Sequence, residues 1–171
     1  MEIIKVFLKE LDSEAAITRK MLDRIPNDKY DWQPHPKSMT IRQLANHIAE
    51  LPGWITMAIN TDELDFAANP YTPTQISDTK ELIGLFNEKV EEAKENLWKT
   101  NEEVLEQKWV LRNGDAFYLE RTKAEVIRMS FNQITHHRAQ LGVFLRLLNI
   151  PIPGSYGPSA DEHEIEEVAE A

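Results

Sequence analysis

The side chains best suited to chemistry are the histidines His35, His47, His136, His137 and His163. Gln133 and His137 stand four residues apart in a segment whose apolar residues recur with helical period. At about 100° per residue, His137 falls within about 20° of Val126 and Phe144, and Gln133 lies about 20° to the other side. Both therefore point down the middle of the apolar stripe, while His136 is turned toward its flank. Burying an imidazole or an amide without partners costs on the order of 1–3 kcal/mol each. Two remedies are open. The pair can hydrogen-bond each other or a trapped water, or a metal ion can take both, since i, i+4 is the usual spacing at which one helix offers two ligands. His47 adds a second element. It lies on the margin of the arc formed by Ile41, Leu44, Ala45, Ile48, Leu51 and Ile55, beside Leu51 and Trp54. A marginal histidine can face an interhelical cleft, where a catalytic metal with an open position would sit. Glu50 reads as a surface carboxylate. His35, between prolines, and His163, in an acidic tail, are not placed to act.

The elements that must position these residues are four amphipathic helices. The first spans about Glu2 to Arg24, with Ile4, Phe7, Leu8, Leu11, Ala15, Met21 and Leu22 on one face, and ends before Pro26. Asp28 to Met39 is an irregular connection broken by Pro34 and Pro36, with Trp32 folded back on the core. The second helix runs from Thr40 to about Asn60. It opens with a Thr40–Gln43 capping box and bends at Pro52-Gly53. A polar stretch, Thr61 to Ile76, precedes a third helix from Ser77, as N-cap, to Lys99. Lys108 to Leu119 has β-favouring residues on both sides of Asn113-Gly114, the pattern of a short hairpin. The fourth helix opens with a Thr122–Glu125 capping box, runs to about Leu148 and stops at Pro151 and Pro153. The expected fold is an all-α four-helix bundle with long crossover connections and one short hairpin before the last helix. Residues 1–160 form the bundle domain and 161–171 an acidic, disordered tail.

Composition narrows the chemistry. With no cysteine, disulfides, thiolate ligands and a covalent mechanism through the protein's own thiol are excluded. Any metal must be held by imidazole, carboxylate or amide groups. A formal net charge of −10 without a basic stripe argues against nucleic acid as partner. No apolar run reaches the ~18–20 residues of a membrane span. The amino terminus lacks signal-peptide features, so the expected location is cytoplasmic. Trp32, Trp54 and Tyr156 are candidates to wall a small-molecule cleft. Arg138 and Gln140, flanking the histidine row, are read as structural.

The run DWQPHPKSMTIRQLANHIAE from Asp31 to Glu50 resembles the second-helix signature of the DinB/YfiT-like superfamily. FNQITHHRAQLGVFLRLLNIPIPGSYGPSADE from Phe131 resembles its fourth helix and following tail. HHRAQL from His136, LRLLNIP from Leu145 and YGPSADE from Tyr156 are the most specific parts. The likeness runs from about Glu2 to Glu162. It implies a four-helix bundle holding a divalent metal such as zinc, nickel or iron through three ligands, one from the second helix and two from the fourth at i, i+4. These positions fall on His47, Gln133 and His137. Gln133 replaces the usual histidine, and an amide oxygen is a harder and weaker donor than imidazole. The resemblance further implies a metal-dependent enzyme, a transferase or isomerase that takes a low-molecular-weight thiol such as bacillithiol, mycothiol or glutathione and acts on small electrophiles. The alternatives are a metal-dependent hydrolase, or a non-catalytic, stress-associated bundle with a degenerate site. A homodimer through the first and fourth helices is the expected assembly.

Overall fold

A computed structural model describes residues 2–162; His163 and the rest of the acidic tail lie outside the described residues. Helix α1 (Ile3–Leu22) buries Phe7, Leu8, Leu11, Ala15, Met21 and Leu22, and stops at the turn before Pro26. The second helical stretch is two helices rather than one bent one: α2 (Ile41–Glu50) and α3 (Gly53–Asn60). Pro52 has no N–H to continue the ladder, so the chain turns at Leu51 and restarts. The expected capping box at Thr40 is formed, with Gln43 reaching back to the Thr40 N–H at 2.9 Å. Ile41, Leu44 and Ile48 are almost fully buried, each worth about 1.5–3 kcal/mol of transfer free energy.

Helix α4 (Thr79–Lys99) is capped by Asp78, whose carboxylate accepts from the Glu81 N–H at 2.8 Å. The Ser77 cap expected from the sequence is thus displaced by one residue; the Ser77 N–H donates instead to the Glu81 carboxylate. After a single-turn helix α5 (Glu102–Leu105) that the sequence reading omitted, α6 (Lys123–Leu147) starts at the Thr122–Glu125 capping box. It ends where Asn149 takes a left-handed conformation (φ 57°), letting the Ile150 N–H reach the Leu145 carbonyl.

α1 packs against α4 and α6, and the α2–α3 pair packs against the same two helices, so α1 lies diagonally across from α2–α3. The connections from α1 to α2 and from α4 to α6 are the expected crossovers. The all-α expectation needs correcting. β2 (Lys108–Asn113) and β3 (Ala116–Thr122) form the expected hairpin, with Gly114 supplying the positive φ of its turn. A third strand, β1 (Glu63–Asp65), pairs parallel to β2. The polar stretch from Thr61 to Ile76 therefore contributes to a three-stranded sheet ordered β1-β2-β3. Trp109 of β2 is fully buried and its indole N–H donates to Thr61, which fixes the sheet to the bundle. Trp32 folds back as expected and packs edge-on against Phe144, ring centroids 5.8 Å apart.

The segment after α6 is pinned to the bundle. Asp161 pairs with Arg146 and accepts from the Ile152 N–H, and Glu162 accepts from the Gly154 and Ser159 N–H groups. These two acids, assigned to a solvated tail from the sequence, are structural. A β-carbon on Gly154 would overlap the Gly157 carbonyl oxygen, so that close approach requires glycine.

Candidate metal centre

α2 and α6 are neighbours in the bundle, and their facing margins carry His47 and His137. The two rings lie 4.7 Å apart, centroid to centroid, with planes at 78°. Two separate helices thus bring two imidazoles into edge-on contact. Gln133 is on the same side of α6 and shares with His47 the wall of a cavity of about 290 Å³. Leu51, Trp54, Met129 and two sheet residues, Leu111 of β2 and Leu119 of β3, complete most of that wall. The hairpin residues were not foreseen as part of the site. Their only sequence signal was an apolar residue on each side of the Asn113-Gly114 turn. Ser130 ties the wall together by donating to the Leu51 carbonyl, at the break between α2 and α3.

The stripe on α6 is not centred where the sequence placed it. Ile127, Ile134, Arg138, Leu141 and Leu145 are fully buried, whereas Gln133 and His137 are half-buried on its edge and His136 is exposed. Counting Arg138 as flanking moved the apparent centre toward His137. Arg138 instead occupies the middle of the bundle, where its guanidinium bonds Glu14 (2.5 Å), Thr18 (3.0 Å) and the Tyr156 hydroxyl (2.9 Å). Its structural role stands, and Tyr156 serves that network rather than a cleft. Trp54 does wall the cavity.

Burial holds both imidazoles below their ordinary value. For His47 the neighbouring His137 adds to that effect while Glu50 opposes it; for His137 the Gln140 hydrogen bond opposes it. Neutral rings are the form that can donate a lone pair. His137 Nδ1 lies 2.9 Å from the Gln140 amide oxygen. An acceptor there places the proton on Nδ1 and leaves Nε2 free, the arrangement that outer partners impose on ligating histidines. Neither the His47 ring nor the Gln133 amide has a hydrogen-bond partner among the described residues, so His137 and Gln133 do not satisfy each other. Glu50 faces elsewhere and is more than a surface carboxylate: it accepts from the Tyr71 hydroxyl (2.6 Å) and from the N–H and hydroxyl of Thr74 (3.1 and 2.8 Å). Among the described residues no group of three or more His, Cys, Asp or Glu side chains is gathered as a metal site. The groups available here are two neutral imidazoles and one neutral amide. By donor chemistry they suit a divalent ion of intermediate softness, the amide being the weakest of the three.

A family model described as the DinB family matches residues 1–168. A DinB-like protein of Bacillus subtilis is 19% identical, with a TM-score of 0.68 over 87% of this chain and 96% of that one. YfiT of Bacillus subtilis, described as a probable metal-dependent hydrolase with an unusual four-helix bundle topology, is 13% identical, with a TM-score of 0.64 over 86% and 89%. The mycothiol-dependent maleylpyruvate isomerase is 14% identical, with a TM-score of 0.58 over 81% of this chain and 60% of that one. At these identities the likeness is one of fold. No curated protein matches the chain in sequence.

Proposed function

The chain belongs to the DinB family, and from that premise we propose that it is a metal-dependent enzyme that joins a small thiol to a small electrophile. The observation that carries this reading is the 4.7 Å approach of two desolvated histidine rings from different helices beside an apolar cavity. His47 and His137 would hold a divalent ion, zinc, nickel or iron, with the Gln133 amide as third donor. Such an ion supplies Lewis acidity, which lowers the pKa of an S–H or O–H group presented to it. Gln140 keeps the His137 ring in the tautomer that offers Nε2. Leu51, Trp54, Leu111, Leu119 and Met129 exclude water and favour an apolar reactant. The absence of protein cysteine accords with a nucleophile brought in as cosubstrate. Cytoplasmic thiols would be its source, and among the described residues no helix is long and apolar enough to cross a membrane.

Gln133 in the third position favours a second reading, a stress-associated bundle whose site has relaxed. The same residues would also serve a hydrolase with water as nucleophile; YfiT is described as a probable metal-dependent hydrolase. Elemental analysis of untagged protein separates the first two. Stoichiometric metal, lost in both His47→Ala and His137→Ala, supports the enzyme; protein purified under metal-replete conditions yet free of metal supports the relaxed bundle. With metal present, consumption of a thiol by an electrophilic probe, against hydrolysis of an ester probe, separates transfer from hydrolysis.

A further inference from the structure

His47 is the common wall of two cavities. The first is the apolar one beside Gln133. The second, of about 540 Å³, lies between the start of α2 and the segment 71–76, and its lining includes Lys37, Met39, Arg42, Asn46, His47 and Tyr71. Lys37 and Arg42 are cationic, and none of its lining residues is a carboxylate, in a chain whose net charge is −10. Two nearby acids are bonded to lining residues from behind the wall: Glu50 accepts from Tyr71 and Thr74, and Asp31 accepts from Arg42 Nε at 3.1 Å. The Arg42 guanidinium is held in place by that contact, by the Ile76 carbonyl on Nη1 (2.7 Å) and by the Tyr30 ring beneath it (5.0 Å). Its Nη2 has no partner among the described residues, and neither has the Lys37 ammonium. A fixed guanidinium with one free face and a flexible ammonium are complementary to a single carboxylate. Met39, Tyr71, Pro73 and Ile76 make part of the remaining wall apolar, and Ser38, Gln43, Asn46, Thr74 and Gln75 add uncharged polar groups.

From this arrangement we infer that the second cavity binds a small amphipathic carboxylate. Its anionic end lies on Arg42 and Lys37, its apolar body lies against Met39, Tyr71 and Ile76, and its far end is delivered to His47. This deepens the proposed function and rests on it for what the ligand is delivered to; the binding itself needs no metal. The two reactants of a transfer would then approach His47 from opposite sides, one apolar and one anionic.

The test uses the full chain stripped of metal with a chelator, titrated with hydrocinnamate and with its neutral amide, hydrocinnamamide, and followed by amide chemical-shift mapping. The expected result is saturable binding of hydrocinnamate with shifts concentrated in residues 37–47 and 71–76, at least about tenfold tighter than the amide. Arg42→Gln should weaken it. Because that change also releases Ile76, Lys37→Glu serves as the second variant, with an expected loss of at least about fivefold. Equal binding of acid and amide, shifts confined to the cavity beside Leu111 and Leu119, or unchanged affinity in Lys37→Glu would each overturn the inference. Because the titration is done without metal, failure of the metal reading leaves this result intact, and the reverse holds.

Discussion

Desolvation acts on His47 and His137 in the direction that suits ligation, and it also fixes how the protein responds to acid. Both folded-state values lie below the ordinary 6.5, with burial the first cause. An unfolded chain therefore takes up protons at these sites before the folded one does. Below about pH 6.5 the unfolded state is favoured increasingly, until the pH passes the folded values and the penalty becomes constant. For metal-free protein, the urea midpoint should fall between pH 7.5 and 5.5. The fall should be shallower in a His47→Gln/His137→Gln double variant; equal slopes would mean the two rings are not desolvated. Metal affinity provides a second prediction. Gln133→His exchanges a neutral amide oxygen for an imidazole and should tighten zinc binding by about tenfold or more, about 1.4 kcal/mol. Competition with a chromophoric chelator measures this. No gain would remove position 133 from the coordination shell.

The α-helices were readable because their periodicity and end signals agreed: the capping boxes at Thr40 and Thr122 formed as expected, and Pro26 and Pro151 follow helix ends. What escaped was set by contacts between elements. β1 is three residues long, and its strand character comes from pairing with β2 some forty-five residues later, so the sequence Glu63-Leu64-Asp65 carries no local signal. The i, i+4 geometry of Gln133 and His137 was legible, as was the marginal position of His47. The centre of the α6 stripe was not, because a hydropathy pattern treats arginine as solvent-facing. The partner that permits Arg138 to be buried is Glu14, 124 positions away. That pair is nearly inaccessible to solvent, with side-chain exposures of 2% and 9%. Removing one member strands the other charge. Arg138→Leu should therefore destabilise the bundle by about 3–5 kcal/mol in chemical denaturation, while Arg138→Leu/Glu14→Leu should recover much of that loss. Equal destabilisation by the single and double variants would mean that the arginine is held by packing of its stem alone.

The candidate site lies where α2, α3, α6 and the small sheet meet, away from the outer faces of α1 and the end of α6. Val143 and Leu147 stand one turn apart at the end of α6 and are each 59% exposed; Ile3, 36% exposed, lies at the opposite end of the bundle because α1 and α6 run parallel. An apolar strip on a helix already packed on its other side is the pattern expected of a self-association surface. Val143 and Leu147 are the residues at which the expected homodimer through α1 and α6 is to be tested. A stable pair requires about 800 Å² buried per partner, so the contact must extend well beyond these two side chains. Sedimentation equilibrium should give a mass near twice the 19.8 kDa of one chain. Val143→Lys/Leu147→Lys should reduce it to a single chain without loss of helical circular dichroism, since neither side chain contributes to the core. A wild-type protein that sediments as one chain at concentrations of about 0.1 mM would sink the dimer while leaving the histidine pair untouched, because His47 and His137 come from the same chain.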